Sequence, residues 1–165
     1  MSELSIIEFL NQYGLLVVFI IVFMEYLNLP GFPSGVIMPA CGVWLKATNT
    51  SFILCLLVTV IAGVLGSLIL YYVGLYGSDT ILNKIYKKNP SIKLKVDNII
   101  VKLHKNAKYT VFISKLIPVV RTLVGFPCGA IKMNVKDYIL YSSLGITIWN
   151  AVFILSGIFA IELFV

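Results

Sequence analysis

The chain has 165 residues, 59% of them hydrophobic and 12% charged. Soluble domains are about half apolar and about a quarter charged, so a soluble single-core enzyme is excluded, and so is intrinsic disorder. The net charge is +6, with 13 basic residues against 7 acids. The basic residues lie between apolar stretches, which points to a membrane surface and not to nucleic acid.

The N-terminus carries Glu3 and Glu8 in place of the positive start of a secretory signal, so the first apolar stretch is expected to be retained. Residues 13–24 and 35–45 are apolar but short. At ~1.5 Å per residue each reaches about half of a ~30 Å hydrocarbon core. Between them lie Glu25, Pro30, Gly31 and Pro33, and Pro39 follows inside the second stretch. Proline removes a helix hydrogen bond and restricts the residue before it. A half-length helix, a break and a second half-length helix predict a re-entrant hairpin over 13–45. Residues 52–74 are uncharged and long enough for a full span, placed at 52–75.

Residues 84–108 are Lys-rich, and Ile92, Val96, Ile99, Ile100 and Leu103 recur there at helical spacing. This predicts an amphipathic helix on the cytoplasmic leaflet, as a plain interfacial anchor before a headgroup sensor. A second hairpin is expected over 109–131, holding Lys115 and Arg121 and broken around Pro118, Gly125, Pro127 and Gly129. A second span follows at 138–161. Irregular backbone at membrane depth is tolerated only inside protein or beside water, so both breaks are expected to face a cavity. The plainer alternative is two ordinary spans, each kinked at proline.

Gly31-Phe32-Pro33-Ser34-Gly35 recurs as Gly125-Phe126-Pro127-Cys128-Gly129, each copy in a broken hairpin that precedes one long span. A hairpin plus a span crosses the membrane once, so two such units in series are inverted. The expected fold is an all-α polytopic membrane protein, one membrane domain over 1–165. Its first repeat is 1–83, its basic cytoplasmic segment 84–108 and its second repeat 109–165. Ten lysines, from Lys84 through Lys108 together with Lys132 and Lys136, then fall on one side, and only Lys46 falls on the other. By the positive-inside rule the central loop is cytoplasmic and both termini are outside.

Three ionisable residues fall within the apolar hairpins: Glu25, Lys115 and Arg121. Charges at this depth cost several kcal/mol unless paired or hydrated, and are functional candidates by default. Two cations flanking a proline break suit a phosphate, Arg as a planar fork and Lys as a point charge. Glu25 between them is a candidate to take up a proton. A Glu25–Arg121 pair that merely locks the hairpins together is the structural alternative. Cys41, Cys55 and Cys128 read as buried thiols, Tyr71, Tyr72 and Tyr76 as an aromatic belt, and Trp149 as packing. Gly63, Gly66 and Gly145 read as points of close helix contact. There is one His and no HExxH, Gly-rich phosphate loop or GxSxG, so neither an enzyme, a cofactor nor a metal site is expected.

These residues resemble a known family. Phe112, Lys115, Pro118, Arg121 and Thr122, then Pro127 and Gly129, then Gly145 and Trp149 are similar to the hallmark region of the DedA/VTT membrane proteins. Glu25, Leu29-Pro30 and the run from Pro33 to Gly42 resemble that family's first hairpin, and Gly66 to Gly77 its first-span exit. Two positions depart from the pattern. Lys115 stands where the family commonly has Arg, and Gly35 where many members carry an acid, which leaves Glu25 to act alone. The resemblance implies a bacterial cytoplasmic-membrane protein that moves lipids such as undecaprenyl phosphate or phosphatidylethanolamine between leaflets, with dependence on the proton-motive force. The expected partners are a phosphate-headgroup lipid and protons; a homo-oligomer is left open. A proton-coupled antiporter of small cations or drugs, and a structural membrane organiser without transport, are the alternatives.

Overall fold

In the computed structural model, which describes residues 3–27, 34–88, 90–118 and 120–164, all regular structure among the described residues is helical. In chain order the helices are α1 (Glu3–Tyr26), α2 (Ser34–Thr48), α3 (Phe52–Lys88), α4 (Pro90–Lys115), α5 (Val120–Leu123), α6 (Gly125–Ala130) and α7 (Val135–Phe164). α4 is two helical pieces joined at Asn106, whose backbone is extended (φ −160°, ψ 75°). Residues Phe52–Gly77 of α3 and Val135–Ile161 of α7 are long and apolar enough to cross a bilayer. On α3, Ile53, Leu57, Ile61, Leu65 and Ile69 recur one turn apart, and all are exposed. A stripe of that length would cost a soluble protein its solubility, but it is the outward face a helix turns to lipid.

α1 and α2 lie side by side and run in opposite directions. A Cβ on Gly14, near the start of α1, would stand 2.8 Å from Cε2 of Trp44, near the end of α2. α3 and α7 are also antiparallel: the Tyr138 hydroxyl donates to the Ser67 carbonyl oxygen (3.3 Å), while a Cβ on Gly63 would stand 3.3 Å from Cγ2 of Ile146. α2 packs on α7, and α6 packs on α3. Both crossings are backbone contacts made by glycine pairs. Gly42 meets the Ile154 carbonyl and Gly157 meets Pro39; Gly129 meets the Tyr71 carbonyl and Gly74 meets Phe126.

Two apolar cores result. One joins α1, α2, α3 and α7 around Val22, Tyr26, Met38, Cys55, Ile146 and Ile154. The other joins α3, α4, α6 and α7 around Tyr71, Leu103, Val111, Val124, Cys128 and Tyr138. Cys41, Cys55 and Cys128 are all buried free thiols. Tyr71 is buried, its hydroxyl donating to the Met133 carbonyl oxygen, whereas Tyr72 and Tyr76 are exposed.

Several expectations need correction. α1 starts at Glu3, so residues 13–24 are the inner part of a 24-residue helix and not a separate short arm. α3 continues unbroken through residues 75–88, giving 37 residues, or ~55 Å at 1.5 Å per residue. Nothing in 75–88 stops a helix, and Pro90 starts the next one at its first position, where a missing N–H costs nothing. Pro39, Gly125, Pro127 and Gly129 are helical residues and not breaks. Pro39 removes only the bond to Gly35, in the exposed first turn of α2. Pro127 lies in the first turn of α6, and bonds from Val124 N to Val120 O (2.9 Å) and Cys128 N to Val124 O (3.2 Å) carry the chain from α5 into it. Among the described residues of 109–131, the interruption is at Pro118, where Leu116 and Ile117 tighten onto residues three back. Leu103 packs into the second core and not onto a lipid surface. Pro30, Gly31 and Pro33 lie outside the described residues, as do the side chains of Ile92, Val96, Ile99 and Ile100.

Candidate functional site

Glu25 and Tyr26 are the last two residues of α1, and they end beside the middle of the α3 apolar run. Glycine permits this approach. A Cβ on Gly66 would stand 2.9 Å from the Phe23 carbonyl oxygen, and one on Gly63 would stand 2.9 Å from the Tyr26 ring. Lys115, the last residue of α4, ends in the same way beside the middle of the α7 apolar run. There a Cβ on Gly145 would stand 3.0 Å from the Phe112 carbonyl oxygen. The Phe23–Tyr26 turn against Gly66 thus has a counterpart in the Phe112–Lys115 turn against Gly145. Pro118 then breaks the chain, and one turn of α5 delivers Arg121, its N–H donating to the Ile117 carbonyl oxygen (3.0 Å).

The structure brings Glu25, Lys115 and Arg121 together. Arg121 Nη2 donates to Glu25 Oε1 in an ion pair whose side chains are 1% and 3% exposed. Lys115 Nζ, fully buried, donates to the Arg121 carbonyl oxygen (2.9 Å). Aromatic faces enclose both cations. The Arg121 guanidinium carbon is 4.8 Å from the Tyr26 ring centre and 5.1 Å from that of Trp149. Lys115 Nζ is 5.4 Å from the Tyr26 ring and 5.7 Å from the Tyr138 ring. Cation–π attraction is strongest when desolvated, at ~2 kcal/mol. Tyr26 belongs to one apolar core and Tyr138 to the other, so the charges sit where the two cores meet.

The cluster is not self-sufficient. One acid faces two bases, a formal excess of one positive charge. Among the described residues, Glu25 Oε2 and the Nε and Nη1 atoms of Arg121 have no hydrogen-bond partner. Nor, among the same residues, do the Tyr26 hydroxyl, Trp149 Nε1 or either amide atom of Asn150. Buried polar groups in folded proteins are nearly always bonded, so each exception calls for an explanation. An anion with several acceptor oxygens would balance the charge and take the free guanidinium donors. The described residues hold no group of His, Cys, Asp and Glu able to bind a metal.

Some neighbours escaped sequence reasoning. Tyr26 was hidden in the chain's abundance of aromatics; its place directly after the one acid of the first hairpin was the available signal. Asn150 is the one amide in residues 138–161, and a polar amide in an apolar span is such a signal too. Trp149, read as packing, stacks on Phe153 (4.4 Å) and also covers Arg121. Asp137, in the first turn of α7, pairs with Lys108 of α4 at 3.2 Å. Beside that pair a cleft of about 430 Å³ opens between α4 and α7, lined by Asn106, Lys108, Tyr109, Phe112, Tyr141 and Leu144.

Apolar outward faces, two helices of membrane-crossing length and a charge cluster walled by aromatics define a helical membrane protein with a polar site in its interior. The chain belongs to the VTT domain family, also called DedA, which matches residues 29–159. It is 33% identical, over 94% of its length and 78% of the relative's, to undecaprenyl phosphate transporter A of Staphylococcus aureus. It is 31% identical to a protein named alkaline phosphatase-like in Lactococcus lactis, over 92% of this chain and 73% of the other. An uncharacterised membrane protein of Bacillus subtilis is 27% identical over 96% of this chain and 68% of its own. No solved structure matches.

Proposed function

We propose that this protein is a lipid translocase that moves a phosphate-headgroup lipid between the leaflets of a bacterial cytoplasmic membrane. Undecaprenyl phosphate and phosphatidylethanolamine are the substrates that fit. The observation that carries the reading is the buried cluster of Glu25, Arg121 and Lys115, with its excess positive charge and its unpartnered guanidinium nitrogens. The kinship to a protein named as an undecaprenyl phosphate transporter supports the same class of cargo.

In this reading the phosphate approaches along the cleft between α4 and α7. Its Phe112 and Leu144 walls adjoin Lys115 and Gly145 in sequence. Arg121 and Lys115 bind the phosphate oxygens. Glu25, competing for the same guanidinium, releases it when it takes up a proton, which couples transfer to the proton gradient. The acyl or prenyl tail stays in lipid. α1–α2 and the 109–131 segment act as re-entrant hairpins of two inverted repeats, 1–83 and 109–165. Supporting this, Tyr26 and Lys115 end at mid-height of α3 and α7, and the glycine crossings of α2 on α7 and α6 on α3 are reciprocal.

The Glu25–Arg121 pair also ties α1 to α5, so locking and binding coexist in one contact. Transfer of fluorescent phospholipid and polyprenyl phosphate in proteoliposomes, with and without a pH gradient, tests the proposal. Arg121→Ala is expected to insert and to abolish transfer. Transfer at the wild-type rate would remove Arg121 from the mechanism.

A further inference from the structure

Asn150 is completely buried at mid-span of α7, and neither its amide nitrogen nor its amide oxygen has a partner. A buried amide that bonds to nothing destabilises a fold by desolvation alone, whereas a leucine of similar volume would not. Its position gives it a use. Ile146, Asn150 and Ile154 fall one turn apart on a single face of α7. Ile146 touches the Gly63–Tyr26 contact, and Ile154 lies under Gly42 of α2. Asn150 is therefore directed into the core shared by α1, α2, α3 and α7. It adjoins Trp149, whose ring covers Arg121. Lys115 lies at the level of Gly145, so Asn150 is five residues further on, ~7.5 Å along the helix at 1.5 Å per residue. The antiparallel register that sets Gly63 against Ile146 brings Thr59 of α3 to the same level, fully buried, its hydroxyl donating to the Leu56 carbonyl oxygen.

The interior polar groups are thus unevenly arranged along the span. Lys115, Tyr138 and Ser67 lie nearer the start of α7, and the uncharged Asn150 amide and Thr59 hydroxyl lie further towards its end. A headgroup leaving two cations for an apolar half-span would have no partner there. A neutral amide offers a donor to a phosphate oxygen and holds it weakly enough to let go, as conduction between sites requires.

We propose that Asn150, with Thr59 at its level, is a second and uncharged binding station for the phosphate-ester headgroup, used between the Arg121–Lys115 cluster and the leaflet at the Ile161 end of α7. This rests on the translocase reading.

The test uses the full-length protein in detergent and in liposomes. Dodecyl phosphate, a soluble phosphate monoester, reports headgroup binding through the shift it causes in melting temperature. A fluorescent polyprenyl phosphate reports transfer. Asn150→Leu is expected to bind dodecyl phosphate within twofold of wild type, to melt no lower, and to transfer at least tenfold more slowly. Transfer at the wild-type rate would make Asn150 a packing residue and overturn the station. Parallel loss of binding and transfer would overturn it as well, because the amide would then belong to the cationic cluster. If Asn150→Leu does not insert, Asn150→Ala is read by the same criteria. A wild-type protein that neither binds dodecyl phosphate nor transfers lipid overturns the translocase reading itself, a result no Asn150 variant can mimic.

Discussion

Glu25 and Arg121 form an ion pair whose side chains are almost wholly buried, and this sets what substitution does. Neutralising one member of a buried pair leaves the other desolvated and uncompensated, at a cost of about 3–5 kcal/mol, whereas replacing both with apolar residues is often neutral. Glu25→Gln is therefore expected to lower the melting temperature in detergent markedly. Glu25→Met combined with Arg121→Met is expected to restore most of that loss while leaving lipid transfer abolished. A double variant as unstable as the single one would place the destabilisation elsewhere than in the lost pairing. The three charges were legible in the sequence because ionisable groups in apolar segments are rare and expensive. Tyr26 and Asn150 gave weaker signals. A tyrosine next to an acid, or one amide in a span, gains its weight when the chain folds the ring over a cation or buries the amide.

At the level of elements, hydropathy located both apolar spans to within two or three residues, Phe52–Gly77 and Val135–Ile161, but not the ends of the helices that contain them. The apolar run of α3 stops near Gly74, yet its helix continues to Lys88, because a change from apolar to basic side chains does not interrupt backbone hydrogen bonding. Proline counts overstated the breaks for the converse reason. Pro39 costs α2 a single bond, to the exposed Gly35, and Pro127 falls in the first turn of α6, so that among the prolines of the described residues Pro118 is the one that interrupts a helix. The repeated pentapeptide misled about register too. Gly129 lies against the Tyr71 carbonyl, but a Cβ on Gly35, its sequence counterpart, would meet nothing within 4 Å. The packing counterpart of Gly129 is Gly42, against Ile154 of α7. Gly42→Leu and Gly129→Leu would each force two backbones apart. Both are expected to destabilise severely, seen as loss of the monodisperse species in detergent. Gly35→Ala is expected to be neutral or to stabilise by about 0.5–1 kcal/mol, since alanine is the better helix former. Equal effects at Gly35 and Gly129 would contradict the packing described for both.

For the molecule as a whole, orientation in the membrane follows from where lysines accumulate. Eight lie between Lys84 and Lys108, and Lys132 and Lys136 precede α7, while Lys46 stands apart near the end of α2. The Lys108–Asp137 pair holds α4 against the start of α7, which keeps the central segment and the 132–136 turn at one end of the bundle. Lys46 is near the end of α2, and α2 crosses α7 at Gly157, towards the other end. One end of the bundle thus gathers the lysines, and by the positive-inside rule we propose that this end faces the cytoplasm. The three native cysteines are buried, so a membrane-impermeant maleimide has little background to report. In intact cells Lys105→Cys is expected to stay unlabelled until the membrane is opened, and Ala47→Cys, exposed near the end of α2, is expected to label at once. The opposite pattern would invert the molecule. The leaflet facing the α4–α7 cleft would then be the outer one, and phosphate would enter the site from outside the cell. Labelling of both positions in intact cells would be incompatible with a chain whose two ends of α7 face opposite sides of the bilayer.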